Sequence, residues 1–428
     1  MPIARLISLL SHRLFFFVPI IGLSSMCCAQ ELAIHSVLVP TAGNPTTAIE
    51  AQHGRYIFVS VTNVGAPNFG GPDSAASTRK GVVSGIQVFR QTGLLGLHRH
   101  PRAIGFVPTG GAGANGLALL RGEKTLAVGV GDDGVAFLDV DALIRGSAVP
   151  VFAAQGHGAG TFDVVATADG KYVFSANEYG ILEGQRGNVG VVATGIDAKG
   201  RVAHPVTLRQ IPAGDVVPSL GLSPDDTRLY VLSELVPAID ARPIAGSTNK
   251  SLIKADCVQV ENTPPRTNGL VTVIDVQLAI DSVGGEVLSR VAAGCSPVRV
   301  AEAADRSALY ISARGDDSVL VYDPARMESD PEHSFVRLFA SGGVAPVGLR
   351  LFAHDRWLAV ANSNRFATAN GTFSAISISG AAEDPHPTSV SAGAFPRNIT
   401  ISHDGETLYL TNYTSRTLQI IKPHRTKM

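Results

Sequence analysis

The sequence is short of charge, of cysteine and of long apolar runs, and each shortage removes a class of protein. Only 17% of its 428 residues are Asp, Glu, Lys or Arg, and the formal net charge is -1. The basic residues form no run, and a nucleic-acid footprint needs a basic patch or stripe, so no nucleic-acid partner is expected. Beyond the first thirty residues no apolar stretch reaches the ~20 residues of a membrane-spanning helix, so no membrane span is expected. No serine sits in a GxSxG elbow. The Gly-rich run Gly110–Gly116 lacks the Lys-Ser/Thr and the strand-to-helix setting of a phosphate loop, and reads as a connection between strands.

What is abundant is glycine (45 residues) and proline (25), in a chain that is 45% hydrophobic. That balance suits a large core made of many short strands joined by tight turns. The N-terminus has the form of an export signal. Arg5, His12 and Arg13 are followed by the apolar run Leu14–Leu23, and small residues precede a cleavage expected after Ala29. Residues 1–29 are therefore expected to be a signal peptide and 30–428 a single domain, secreted or periplasmic. Lipidation at Cys27 or Cys28 is the alternative. Two of the four cysteines, Cys257 and Cys295, lie outside that leader.

From Pro45 to Ile421 one grammar repeats seven times, at a spacing of roughly 50 residues that marks solenoids or propellers. A short apolar run leads to a turn such as Asp169-Gly170, Asp225-Asp226 or Asp404-Gly405. A stronger β-rich run follows (YIFVSV, YVFSA, LYVLS, LYIS, LYLT). Asp-Gly between alternating apolar residues is a hairpin signal. A third strand ends near an acid, as at Asp139, Asp275 and Asp323, and a variable fourth strand leads onward. Four strands per unit predict an all-β, seven-bladed β-propeller of four-stranded blades. The closing unit, Pro396–Ile421, stops after its third strand. Ala33–Val39 is expected to supply the fourth and close the ring, since an unfilled place would leave an exposed sheet edge.

The runs LYVLS, LYIS and LYLTN, set after SPDD or SHDG turns, resemble the YVTN-type β-propeller repeat and the wider lactonase-like seven-bladed propellers. The units lack the Gly-His and Trp-Asp pairs of WD40 repeats, and Trp357 is the only tryptophan. The stretch His157–Gly180 resembles the GxGPRHxxFxPDGxxxYVxNE segment of the lactonase-like family, with Glu178 at the place of its Glu. It departs where Thr161-Phe162-Asp163 stands for Pro-Arg-His. The resemblance implies either an exported module that binds a small molecule, a glycan or a protein at its central mouth, or a 6-phosphogluconolactonase-like hydrolase with a degenerate motif.

Repeat phase places the lead-in to the first strand and the loop after the second on one face. The insertions fall there: Val64–Gly85, Tyr179–Arg186, Arg365–Asn370, and the longest, Glu234–Asn268. Function in repeat folds often sits on such a face. Polar residues at these positions are expected to ring the mouth. His157 with Glu178 is a candidate acid–base pair. Glu234, Arg299, Arg314, Arg365 and Arg397 are candidate ligand-binding residues, because arginine clamps carboxylates or phosphates. Cys257 and Cys295 fall on the same face in adjacent units and are expected to form a disulfide. No cofactor and no catalytic metal is expected. Asp132-Asp133 and Asp316-Asp317 read as turn acids, with a structural calcium as the alternative. His98 and His100 share a strand face but belong to an outer, variable region. Asn370, Asn398 and Asn412 open glycosylation sequons. A monomer is expected.

Overall fold

A computed structural model describes residues 32–65, 83–92, 100–110, 113–156, 158–182, 185–236, 244–249, 252, 257, 268–282, 284–365, 369–378 and 385–425. The leader, His98 and His157 lie outside them. Seven antiparallel sheets of four strands each form the ring. Blade one comprises Asn44–Ala51, Tyr56–Val64, Val83–Thr92 and His100–Pro108. Blade two comprises Leu117–Leu119, Thr125–Gly129, Val135–Asp139 and Val151–Ala153. Blade three has Thr161–Ala166, Tyr172–Leu182, Gln185–Ala193 and Val206–Pro212. Blade four has Ser219–Leu222, Arg228–Ser233, Leu270–Asp275 and Val287–Ala292. Blade five has Pro297–Glu302, Leu309–Ala313, Ser318–Tyr322 and Phe335–Ala340. Blade six has Pro346–Phe352, Trp357–Asn362, Thr372–Ser377 and Pro387–Ser391. Blade seven takes Pro396–Ile401, Leu408–Asn412 and Thr417–Arg425 from the end of the chain, and Leu32–Pro40 as its outer strand. That closing strand is antiparallel to Thr417–Arg425, in register from Leu32 opposite Arg425 to Pro40 opposite Thr417.

The first strand of every blade packs against the first strands of its neighbours, around the axis. Alternation along the strands points one apolar row at each neighbouring blade. The core is accordingly seven apolar clusters, one at each junction between blades. Phe174 and Leu229 meet between blades three and four, and Ile57 and Tyr409 between seven and one. Each such buried side chain contributes about 1.5–3 kcal/mol relative to exposure.

The consensus letters of the repeat have structural work. Its tyrosine links blades: the Tyr230 hydroxyl donates to Glu302 at 3.2 Å and that of Tyr409 to Glu50 at 2.8 Å, each Glu belonging to the next blade. Its asparagine links strands: Asn177 Nδ2 donates to Asn188 Oδ1 at 2.8 Å, Asn362 Nδ2 to Thr372 Oγ1 at 3.1 Å and Asn412 Nδ2 to Thr417 Oγ1 at 3.2 Å. Asn412 is fully buried, so its sequon is closed in the folded protein, whereas Asn370 is exposed. The acids after the third strands are helix N-caps, a role the repeat pattern did not reveal. Asp139, Asp275 and Asp323 accept backbone N–H groups at the starts of Val140–Ile144, Val276–Asp281 and Pro324–Ser329.

Candidate functional site

Two backbone devices build the mouth. The first is a hydrogen bond repeated in five blades, from a residue late in the second strand or just past it to a residue that leads into the first. Glu178 N donates to Gly160 O, Glu234 N to Val216 O, Arg314 N to Ser296 O, Ser363 N to Ala345 O and Tyr413 N to Phe395 O, at 2.8–3.1 Å. Each accepting residue has a left-handed backbone, with φ between 51° and 61°. For Ser296, Ala345, Phe395 and Val216 this costs about 1–2 kcal/mol each and persists because the surrounding bonds enforce it. Gly160 has a second reason to be glycine: a Cβ there would lie 2.6 Å from the Tyr179 ring. The second device is a bulge in the innermost strand. Pairing skips Thr46, Phe162, Val298, Val347 and Arg397 in blades one, three, five, six and seven. A bulged residue is re-aimed out of the ladder, and four of these five line the mouth.

The result is a cavity of about 500 Å³ at the axis. Glu178, Glu234, Arg299, Arg314, Arg365 and Arg397 all line it. Thus every described residue of the sequence-based set converges there. The pairing of His157 with Glu178 falls outside the described residues. Glu234 and Arg314 are bound to each other: Arg314 Nη2 donates to Glu234 Oε2 at 2.8 Å, with side chains only 4% and 6% exposed. Arg299 Nη1 donates to the carbonyls of Val298 and Pro218, at 2.9 and 3.3 Å, and its buried Nε has no hydrogen-bond partner among the described residues.

Arg397 is held differently. Its guanidinium lies over Phe162 at 4.7 Å, Tyr413 at 4.9 Å and Phe395 at 5.9 Å. Phe162 belongs to blade three, so the side chain from blade seven reaches across the axis. Among the described residues Arg397 makes no hydrogen bond or ion pair through its side chain. Arg365 sits beside it, over the same Phe395 ring at 5.7 Å. Burial and the Arg314 charge push the Arg365 guanidinium down to about 10, so it remains charged at neutral pH. Burial also pushes Arg397 down, with the Arg299 charge adding to the effect.

The carboxylates are perturbed in the opposite sense. Burial, then repulsion from Glu234, raises the Glu178 carboxyl above its ordinary range, against the pull of Tyr179, Arg397 and Arg365. Just below the mouth, burial raises Asp163, which accepts from Ser219 Oγ at 2.8 Å and Val164 N at 3.1 Å and feels the Arg299 charge. The turn acids stitch neighbouring blades: Asp132 accepts from Gly160 N at 3.3 Å and Asp317 from Ala345 N at 2.7 Å. Among the described residues no three His, Cys, Asp or Glu side chains gather as a metal-binding group.

The disulfide between Cys257 and Cys295 is formed, with Cα atoms 5.4 Å apart. It fastens the long loop of blade four to the lead-in of blade five. The same loop also reaches the blade's outer edge, where Ala245 bridges in parallel to Val291 and Leu252 enters the core between blades four and five. Within Tyr179–Arg186, expected as an inserted loop, Ile181 pairs with Arg186 and Leu182 with Gln185, which continues the two paired strands beyond a register shift after Asn177. Tyr179 there stacks under Arg186 at 4.7 Å.

No protein-family model matches the chain, and no curated protein matches it in sequence. Solved structures do match in shape. One is the hydrazine synthase of Kuenenia stuttgartiensis, with TM-score 0.58 and 14% identity over 91% of this chain and 97% of that one. Another is a chain of a mitotic checkpoint complex, with TM-score 0.59 and 11% identity over 92% of this chain and 94% of that one. At such identities the likeness concerns the fold alone, and the chain is a seven-bladed β-propeller.

Proposed function

We propose that this protein is an exported YVTN-type, lactonase-like propeller that binds a small anionic molecule, a carboxylate above all, at its central mouth. The observation that carries this reading is Arg397. A guanidinium stacked on aromatic rings keeps its N–H edge available, and that edge matches a carboxylate in bidentate geometry. Here the rings are Phe162, Phe395 and Tyr413, and the N–H groups have no protein acceptor among the described residues. Arg365 supplies a second cation in the same cavity. The volume suits a small molecule, and a disulfide agrees with an oxidising compartment.

A second reading is supported by Glu178, whose raised carboxyl lies in the same cavity as Arg365 and Arg397. In a lactonase-like hydrolase, water would add to the lactone carbonyl, the ring C–O bond would break, and Glu178 would relay the proton from water to the departing alkoxide. One set of proteins tests both readings. Calorimetry with acetate, succinate, citrate, gluconate and inorganic phosphate should find a carboxylate whose affinity falls at least tenfold in Arg397→Met, which keeps most of the apolar contact. Undiminished binding in that variant, or no binding of any carboxylate or phosphate, amino carboxylates included, overturns the first reading. Hydrolysis of a lactone panel that survives Glu178→Gln overturns the second.

A further inference from the structure

The charges of the mouth are sorted by blade. Asp132, Glu178 and Glu234 come from blades two, three and four. Arg314, Arg365 and Arg397 come from blades five, six and seven, with Arg299 of blade five beneath them. Blade one contributes the neutral Thr62 and Asn63. Among the described residues, therefore, blades two to four give the rim its acids and blades five to seven its bases. At one junction of the halves the charges already cancel, because Glu234 and Arg314 are paired at 2.8 Å. That leaves Glu178 and Asp132 on one side and Arg397 on the other without an ion pair among the described residues.

Among the described residues Glu178 forms no ion pair, and it is half-buried. A desolvated carboxylate without a cation at contact is costly. A simple carboxylate ligand would satisfy Arg397 but add a second negative charge near Glu178. A dianion would do so doubly. A ligand with an ammonium group at its other end supplies the missing cation.

We propose that the mouth takes a zwitterion: an amino acid or related amino carboxylate, its carboxylate on Arg397 and its ammonium on Glu178, with Asp132 adding attraction. This rests on the anion-binding reading and deepens it. The dipole of the cavity then fixes the orientation of the ligand. It also discriminates against molecules with the same carboxylate but no amine, since specificity is a difference of affinities.

The test uses the mature full chain and an ω-amino carboxylate series: glycine, β-alanine, 4-aminobutyrate, 5-aminovalerate and 6-aminohexanoate, with the common α-amino acids. Each is compared by calorimetry with its N-acetyl derivative, which keeps the carboxylate and removes the charge on nitrogen. At least one member should bind tenfold or more tightly than its N-acetyl form, and Glu178→Gln should abolish that ratio. Because the ligand pair is compared on unaltered protein, the first result does not depend on how a variant folds. Equal affinity within every pair, or a ratio that persists in Glu178→Gln with its thermal transition intact, overturns the zwitterion. So does binding of acetate or succinate without binding of any amino acid, which leaves the anion reading standing. Failure of all anions and all amino acids overturns both.

Discussion

At the scale of single residues, the mouth separates charges that serve the fold from charges that remain to be used. Glu234 and Arg314 serve the fold: they are buried, mutually bonded, and set by the same backbone clamp in blades four and five. Removing one member of such a pair leaves a desolvated charge and costs about 3–5 kcal/mol, whereas replacing both by apolar side chains of like size is often tolerated. Arg314→Met should therefore lower unfolding stability by about 3–5 kcal/mol, and the double variant with Glu234→Leu should recover much of it. Urea melts at constant m-value measure both. A double variant that loses as much as the two single variants added together would show that the two side chains act independently. Arg397 belongs to the other group, since rings rather than carboxylates hold it. Glu178, Glu234, Arg299, Arg314, Arg365 and Arg397 were legible because repeat phase gives a residue's place on the ring. Phe162, Phe395 and Tyr413 were not. Phe162 reaches the mouth through a bulge, and a skipped pairing leaves no mark in a pattern of alternating hydrophobics. A scan for aromatic residues at or just before the start of the first strand and just after the second would have found all three.

At the scale of elements, strands follow directly from the sequence while loops and caps need the third dimension. Asp-Gly turns and β-rich runs mark the hairpins, and two-residue periodicity marks which side faces a neighbouring blade. The short helices after the third strands were missed because five or six residues are too few to display a helical period; only their Asp N-caps show. The long loop of blade four could be placed at its ends alone, and there the cysteines carried the inference. The Cys257–Cys295 bridge spans a sequence separation of 38 residues. In the chain-entropy account, closing a loop of that length contributes about 4 kcal/mol. Reduction should therefore raise hydrogen exchange along residues 234–268 and shift the thermal transition down. Intact-mass measurement with and without reductant checks the bond itself, and two free thiols in the purified protein would refute it. The bridge also holds Cys295 beside Ser296, the left-handed residue that sets Arg314 at the mouth. Loosening of the loop should thus reach the cavity through blade five before any other blade.

At the scale of the molecule, the governing fact is that the ring is closed by the two ends of the chain. Seven apolar junctions hold the blades, so no single junction carries the fold. Blade seven is the exception in kind, because its outer strand comes from the opposite end of the sequence. Leu32 enters the cluster between blades six and seven, while Val39 packs against the cluster between seven and one. Much of the closing strand faces solvent, with Val37 and Leu38 55% and 54% exposed. Its contribution therefore lies mainly in pairing the backbone of Thr417–Arg425. Deleting residues 32–40 strips those partners away and uncovers a long sheet edge, which favours pairing with another chain. The net loss should be on the order of a few kcal/mol, since each lost backbone bond counts about 1 kcal/mol. It should be local at first: exchange rises in Pro396–Arg425 while blades two to four keep their protection. Because Arg397 and Tyr413 sit on that blade, the cavity should lose its affinity for anions at denaturant concentrations that leave the rest of the ring folded. Uniform exchange over all seven blades would mean that the ring opens as one unit, and unchanged exchange in blade seven would mean that the closing strand is dispensable.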